Sequence, residues 1–179
     1  YVVYLVGDGG TGKTRMLKKL LSLAKEYPKT HLVCQSFIDL YHFENHYTEG
    51  LIRAIVSTLD GNGYLIETNR ILDQLSDERK HFTSKDTIRE LVANLTEEFT
   101  QALIRISQEK KLVLMFDTGE KWAIPNYKSS AKEWLFNHLL PQLCNALIVF
   151  AGRKEIRADQ TINNIPGNVI SQEFKLEPF

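Results

Sequence analysis

Hydrophobic residues along the chain fall into short unbroken runs that alternate with segments of helical period. Apolar, β-branched runs of about four to eight residues are typical of strands buried on both faces, as in parallel sheets. The predicted strands cover residues 1–6, 32–34, 112–116, 146–151 and 169–176. Residues 37–41 either prolong the second strand or form the loop that follows it.

Between the strands, apolar residues recur at the i, i+3, i+4, i+7 spacing of an amphipathic helix, most regularly from Ser84 to Ile106. Either Thr83 or Ser84 can cap the start of that helix with its hydroxyl oxygen. The predicted helices cover residues 16–24, 48–59, 68–75, 84–106 and 131–140, and a turn at residues 60–63 closes the second. Strands that alternate with helices predict an α/β fold with a mainly parallel sheet, forming one domain over residues 1–179.

The first predicted strand runs directly into a glycine-rich segment, and a helix follows it. The segment satisfies G-x-x-x-x-G-K-[ST], the phosphate-binding P-loop or Walker A pattern, in the strand–loop–helix context that the pattern requires. Its residues are Gly7, Asp8, Gly9, Gly10, Thr11, Gly12, Lys13 and Thr14, and Arg15 comes next. Glycines let the loop point backbone N–H groups at a phosphate, and the N-terminus of the next helix adds partial positive charge.

Two side chains at the end of this loop are the candidates for direct contact with the phosphates and the metal ion. We expect Lys13 to contact the β- and γ-phosphates and the Thr14 hydroxyl to ligate Mg²⁺. A glycine-rich turn without a ligand would explain the glycines but not a Lys-Thr pair at the required offset. The sequence therefore predicts a nucleoside triphosphate site formed by residues 7–15.

Asp117 directly follows the apolar run at 112–116 and is the candidate for a second Mg²⁺ ligand, the Walker B aspartate. Hydrolysis also needs a group that orients or activates water. The first glutamate after Asp117 is Glu120, and Gly119 would let the chain fold so that Glu120 reaches the γ-phosphate. Alternatively, Glu120 is a solvated loop residue beside Lys121. The sequence thus predicts nucleotide binding and leaves turnover open.

Arg153 lies just past the predicted strand at 146–151. If this strand lies between the P-loop strand and the Asp117 strand, Arg153 reaches the γ-phosphate at the carboxyl edge of the sheet, where open α/β sheets bind ligands. A guanidinium there could distinguish ATP from ADP by bidentate contact with the terminal phosphate. The alternative is a surface arginine in the charged run at 153–157. The candidate catalytic residues are Lys13, Glu120 and Arg153.

Charge and composition exclude several classes of protein. The chain has 22 basic and 22 acidic residues, which argues against affinity for nucleic acid or an anionic membrane driven by overall charge. No apolar run approaches the ~18 residues that a membrane helix needs. The two cysteines, Cys34 and Cys144, are far apart and lack CxxC spacing. We therefore expect a reduced, cytoplasmic protein.

Several segments together resemble the STAND class of P-loop NTPases, relatives of the AAA+ ATPases that act as signalling switches. Residues 7–14 match its Walker A loop, and Phe-Asp-Thr-Gly-Glu at 116–120 is similar to a variant Walker B in which Asp-Thr-x-Glu replaces adjacent acids. Further similar segments are 37–41 and 50–51 after the second strand, and 134–141 and 151–153 around the sensor-1 strand. The resemblance implies a three-layer α/β/α sandwich with a five-stranded sheet, in which the sensor strand lies between the Walker A and Walker B strands.

The resemblance also implies a function: binding of ATP or ADP with Mg²⁺, slow hydrolysis, and nucleotide-controlled homo-oligomerisation or recruitment of a protein partner. It implies a lid and effector segments as well. Because the chain starts at Tyr1 and ends at Phe179 in an apolar stretch, we expect a piece of a longer protein whose ATPase activity depends on those segments. The alternatives are a small-molecule P-loop kinase and a scaffold that binds nucleotide without hydrolysing it.

Overall fold

The fold was analysed in a computed structural model, which describes residues 1–59, 63–81, 84–124, 128–153 and 171–177. Parts of three sequence predictions lie outside the described residues. They are most of the turn at 60–63, Thr83 as an alternative helix cap, and the first two residues of the strand predicted at 169–176. The charged run at 153–157 is described only at Arg153.

Strands and helices alternate along the chain, as the hydrophobic pattern predicts. The strands are β1 (Val2–Val6), β2 (His31–Val33), β3 (Ile38–Asp39), β4 (Lys111–Asp117), β5 (Ala146–Gly152) and β6 (Ser171–Lys175). The helices are α1 (Lys13–Ala24), α2 (Thr48–Thr58), α3 (Ile66–Lys80), α4 (Lys85–Glu109) and α5 (Ser130–Glu133), which a π-helical segment continues (Trp134–Leu139). Short 3₁₀ segments cover Phe43–His46, Gly119–Lys121 and Leu140–Gln142. None of the helices in these ranges is both long enough and apolar enough to span a membrane.

All strand pairs of the sheet are parallel, and the order is β2-β4-β5-β1-β6. Strand β5 therefore lies between β1, which precedes the P-loop, and β4, which ends at Asp117, as the resemblance implies. In the β1–β5 pair Val6 is opposite Gly152, and in the β4–β5 pair Phe116 is opposite Phe150. The carboxyl ends of these three strands consequently meet at one edge of the sheet.

In the described part of the chain the sheet has six strands, so the predicted count of five is wrong. Cys34 is still bonded to β4, since its backbone N–H donates to the Val113 carbonyl at 3.0 Å, and it also forms an antiparallel bridge with Leu59. The chain leaves the edge of β4 after Cys34, where the backbone N–H of Gln35 donates to the carbonyl of Thr58 instead. It returns to β4 at Ile38 as the separate strand β3. Strands β2 and β3 thus share one edge position and pair with successive parts of β4.

Helices cover both faces of the sheet, since all five central residues of β4 are buried. The Phe150 ring lies at the centre of the core and stacks on Tyr4, Phe116 and Phe136, with ring centroids 5.6, 4.9 and 5.5 Å away. Stacked rings on β1, β4 and β5 fix the three strands that carry the candidate site relative to one another.

The observed helix ends match the predicted ones where a capping residue sets them. They differ where a contact with a residue far away in the chain is involved. Ser84 caps α4, and its hydroxyl accepts a hydrogen bond from the backbone N–H of Thr87 at 3.2 Å. Helix α3 extends five residues past Leu75, the last apolar position of its pattern. Arg79 in that extension pairs with the Glu49 carboxylate, which is only 10% exposed. This pairing with α2 keeps a polar segment helical.

Candidate functional site

The loop between β1 and α1 depends on glycine at two positions. Gly10 has φ +85° and Gly12 has φ +84°, a left-handed conformation that L-residues with a side chain adopt only at a cost. Gly12 is the N-cap of α1 and has no side chain there. The N-terminal turn of α1 therefore opens directly onto the loop, as an anion site requires.

The Lys13 side chain folds back across this loop. Its Nζ donates to the carbonyl oxygens of Gly7 at 2.6 Å and Asp8 at 2.7 Å. Thr11 is buried, and its hydroxyl donates to the same Asp8 carbonyl at 2.9 Å. These contacts hold the ammonium group over the concave side of the loop, where it can meet a phosphate.

Gly7 directly follows β1 and is in close contact with the segment after β6. A Cβ at this position would lie 2.6 Å from the carbonyl oxygen of Leu176 and 2.7 Å from the Thr11 hydroxyl. The backbone N–H of Gly7 donates to the Gly152 carbonyl at 3.2 Å, and Leu176 N–H donates to the Val6 carbonyl at 2.7 Å. The base of the loop is therefore held from both sides by β5 and β6.

Thr14 and Asp117 come together although they are 103 residues apart in the chain. The Thr14 hydroxyl donates to Asp117 Oδ2 at 3.0 Å, and the other oxygen, Oδ1, accepts the backbone N–H of Thr118 at 2.9 Å. One hydroxyl and one carboxylate side by side are the hard oxygen donors that Mg²⁺ takes in phosphate-binding sites, where water and phosphate fill the other positions. The donor set fits this ion, and among the described residues no group of three or more His, Cys, Asp or Glu forms a metal site of another kind.

The loop after Asp117 lies on the end of β5. Glu120 Oε2 accepts the backbone N–H of Arg153 at 3.1 Å, and Glu120 Oε1 is 3.7 Å from Arg153 Nε. On the other side, Arg153 Nη2 is 3.6 Å from the position that a Cβ would take on Gly9. Arg153 therefore lies between the Glu120 loop and the P-loop.

Two residues of this site were not predicted from the sequence. Gly152 lets the Glu120 loop rest directly on β5, because a Cβ there would lie 2.9 Å from the backbone nitrogen of Glu120. Thr118 has φ 60°, and no other non-glycine residue in the described ranges has a positive φ. For Gly152, the only sequence signal was that a glycine directly precedes Arg153. No sequence signal indicated the left-handed conformation of Thr118.

Arg15, the last of the predicted nucleotide-binding residues, is exposed on α1. With Thr11, Gly12 and Met16 it lines a groove of about 660 Å³, which is also lined by residues 175–177 at and after the end of β6. The predicted site residues thus form two groups. Residues 7–14, Asp117, Glu120 and Arg153 meet at the sheet edge, and Arg15 borders the groove beside the loop.

A scan against protein-family models finds none that matches the chain, and a search of the curated proteins finds no match. Solved structures are similar over nearly the whole chain. A Walker-type ATPase of Pyrococcus abyssi has a TM-score of 0.56 and 17% identity, over 99% of this chain and 49% of that one. The ORC2 protein of Aeropyrum pernix, in its ADP form, has a TM-score of 0.54 and 14% identity, over 98% of this chain and 42% of that one.

A third structure is a signal transduction ATPase with numerous domains (STAND) and a tetratricopeptide repeat sensor, from Pyrococcus horikoshii. It has 13% identity over 98% of this chain and 20% of its own, and its TM-score of 0.43 is too low to carry an argument. The chain thus spans less than half of each of these proteins. The first two similarities agree with the parallel sheet and the glycine-rich loop after β1, and the chain has the α/β fold of P-loop NTPases.

Proposed function

We propose that residues 1–179 are the ATP- and Mg²⁺-binding core of a STAND-type NTPase, a nucleotide-controlled signalling or assembly switch. One observation carries the nucleotide part of this proposal. The Thr14 hydroxyl and the Asp117 carboxylate are 3.0 Å apart at the mouth of a glycine-rich loop that Lys13 spans. A hydroxyl, a carboxylate and an ammonium group at a glycine-rich loop before a helix N-terminus are complementary to a magnesium–triphosphate and to few other ligands.

Each side chain then has a defined task toward ATP. Backbone N–H groups of the glycine-rich loop and the Lys13 ammonium bind the phosphates, and Thr14 and Asp117 hold Mg²⁺. When bound, Mg²⁺ neutralises charge on the phosphate oxygens. Arg153, at the end of β5, contacts the terminal phosphate and so distinguishes ATP from ADP.

In the hydrolytic step, Glu120 acts on the attacking water molecule. The water oxygen bonds to the γ-phosphorus, the bond from that phosphorus to the β–γ bridging oxygen breaks, and its electron pair leaves with ADP. The Glu120 carboxylate orients the water and accepts its proton. Because Glu120 contacts the Arg153 backbone and side chain, we expect slow turnover. The same contact favours the alternative of a scaffold that binds nucleotide without hydrolysing it.

The switch role and assembly with further copies or a protein partner rest on the resemblance of the Walker A, Walker B and sensor segments. A cytoplasmic location rests on the two cysteines, Cys34 and Cys144, which lack CxxC spacing. ATP and ADP would favour different states of the whole protein through their different contacts with Arg153. A ligand shifts such an equilibrium only by the difference in its affinity for the two states.

Calorimetric titration of the chain with Mg·ATP, before and after Lys13→Ala, tests the central claim. Lys13 exchanges its two bonds to loop carbonyls for charge-assisted bonds to phosphate, which contribute about 1.5–3 kcal/mol each. Since part of that gain is offset by the lost carbonyl bonds, we expect about 100-fold weaker binding, or ~2.7 kcal/mol. Lys18→Ala removes the same charge from the exposed face of α1 and should leave the affinity unchanged.

Retention of wild-type affinity by Lys13→Ala would overturn the nucleotide site. Phosphate release by the full-length parent protein and by its Glu120→Gln variant then separates the two functions. A rate that falls in Glu120→Gln supports the ATPase, whereas no release from either protein, with binding intact, supports the scaffold.

A further inference from the structure

The Glu120 carboxylate is held by Arg153 through two different groups. Its Oε2 accepts the Arg153 backbone N–H at 3.1 Å, a bond that depends only on where β5 ends. Its Oε1 faces the guanidinium, with Nε 3.7 Å away. The first contact holds the Glu120 loop against β5, and the second adds attraction between the charges, which depends on where the guanidinium points.

The Arg153 guanidinium is also close enough to the P-loop to contact a group bound there. Its side chain is 66% exposed, and Nη2 already lies near Gly9 of the P-loop, 3.6 Å from where a Cβ would be. The side chain of Glu120 is less exposed, at 27%. A small rotation of the exposed arginine would therefore exchange Glu120 for a group bound in the loop without moving β5.

We propose that Arg153 is a positioning residue for Glu120, and that the terminal phosphate of a nucleoside triphosphate releases Glu120 by drawing the guanidinium away. The inference rests on the proposed nucleotide site. A terminal phosphate carries more negative charge than one carboxylate and accepts both N–H bonds of the guanidinium fork. A diphosphate lacks this group, so it leaves the pair of Glu120 and Arg153 in place.

The existing pair is weak enough for this exchange. Charge-assisted N–H···O bonds of good geometry are about 2.7–2.9 Å long, and the contact between Glu120 Oε1 and Arg153 Nε is longer, at 3.7 Å. An exposed ion pair of this kind adds only a small increment to stability.

A double-mutant cycle on ligand affinity tests the coupling. The four proteins are wild type, Glu120→Gln, Arg153→Ala and the double variant, each titrated with ADP and with a non-hydrolysable ATP analogue. The glutamine oxygen still accepts the Arg153 N–H but no longer attracts the guanidinium. Glu120→Gln should therefore bind the analogue about two- to fivefold more tightly, the range expected for removing one exposed ion pair, and bind ADP as wild type does.

The decisive comparison is the effect of Glu120→Gln when Arg153 has already been replaced by alanine. In the Arg153→Ala background, Glu120→Gln should change the analogue affinity by less than about 1.5-fold, because no guanidinium remains to be freed. If Glu120 instead repels the phosphate directly, Glu120→Gln will tighten analogue binding equally in both backgrounds, and the inference is overturned. Unchanged affinity in the wild-type background overturns it as well.

Two controls keep the result interpretable. Glu26→Gln removes the same charge from an exposed residue just past the far end of α1 and should leave both affinities unchanged. Because Arg153 is exposed, Arg153→Ala should unfold at the wild-type temperature, which a thermal melt checks. Failure of wild type to bind any nucleotide contradicts the proposed function itself. Binding with additive effects contradicts only the release of Glu120.

Discussion

Replacing Thr118 tests whether the loop after Asp117 holds strained backbone. Thr118 has φ 60° and ψ 36°, a left-handed conformation. L-residues pay about 1–2 kcal/mol for it, and β-branched residues are rare there. Its backbone N–H is fixed by Asp117 Oδ1 at 2.9 Å, so the chain cannot relax while that bond holds. Glycine adopts this conformation without the penalty, and alanine does not.

The expected difference between Thr118→Gly and Thr118→Ala follows from two opposing terms. Glycine removes about 1–2 kcal/mol of strain. It also makes the unfolded chain more flexible, which lowers stability by about 0.5–1 kcal/mol relative to alanine. Thr118→Gly should thus be the more stable protein by roughly 0.5–1 kcal/mol, or about 2 °C in Tm for a domain of this size.

Urea unfolding followed by circular dichroism measures this difference, and α4 supplies a control of opposite sign. Ala93 is exposed in the middle of that helix, where glycine is about 1 kcal/mol less favourable than alanine. The same alanine-to-glycine exchange should therefore stabilise at position 118 and destabilise at position 93. If glycine at position 118 destabilises by as much as Ala93→Gly does, the left-handed conformation of Thr118 is not the one in solution.

The remaining predictions concern the base of the P-loop and the cysteines. Gly7→Ala should lower the free energy of unfolding by about 2 kcal/mol, because its Cβ would lie 2.6 Å from the Leu176 carbonyl oxygen; an unchanged urea midpoint would contradict this. Cys144 is exposed, whereas Cys34 is fully buried and burial raises the pKa of its thiol. At pH 8, iodoacetamide should therefore modify Cys34 at least about 100-fold more slowly than Cys144 by mass spectrometry, and similar rates would disprove the burial of Cys34.

The parts of the fold that follow from local sequence were predictable. The apolar runs at 112–116 and 146–151 locate β4 and β5, because strands buried on both faces need continuous apolar residues. The pattern at 7–14 locates the loop, because each of its residue types is tied to one geometric task. The position of β5 between β1 and β4 is different: periodicity does not encode strand order, and only the family resemblance implied it.

The features that the sequence did not predict involve contacts between residues that are far apart in the chain. The break between β2 and β3 begins where Gln35 bonds to the Thr58 carbonyl, and the extension of α3 contains Arg79, which forms an ion pair with Glu49. Neither contact can be recognised from the residues next to it in the chain. Glu120 and Arg153 were each predicted as site residues with separate tasks toward the phosphate. Their contact with each other was not predicted, because it depends on where two loops end in space.

The insertion of β5 explains why a contact at this point can matter for function. Because Val6 is opposite Gly152 in the β1–β5 pair, β5, which directly precedes Arg153, finishes beside the start of the P-loop. The backbone N–H of Gly7 donates to Gly152 on one side, and Glu120 packs on Gly152 from the other. A larger residue at position 152 would push the Glu120 loop away, since its Cβ would lie 2.9 Å from the Glu120 nitrogen. The Gly-Arg pair at the end of β5 therefore brings the two loops into contact through a single arginine, and a phosphate at one loop can affect the carboxylate on the other without any rearrangement of the sheet.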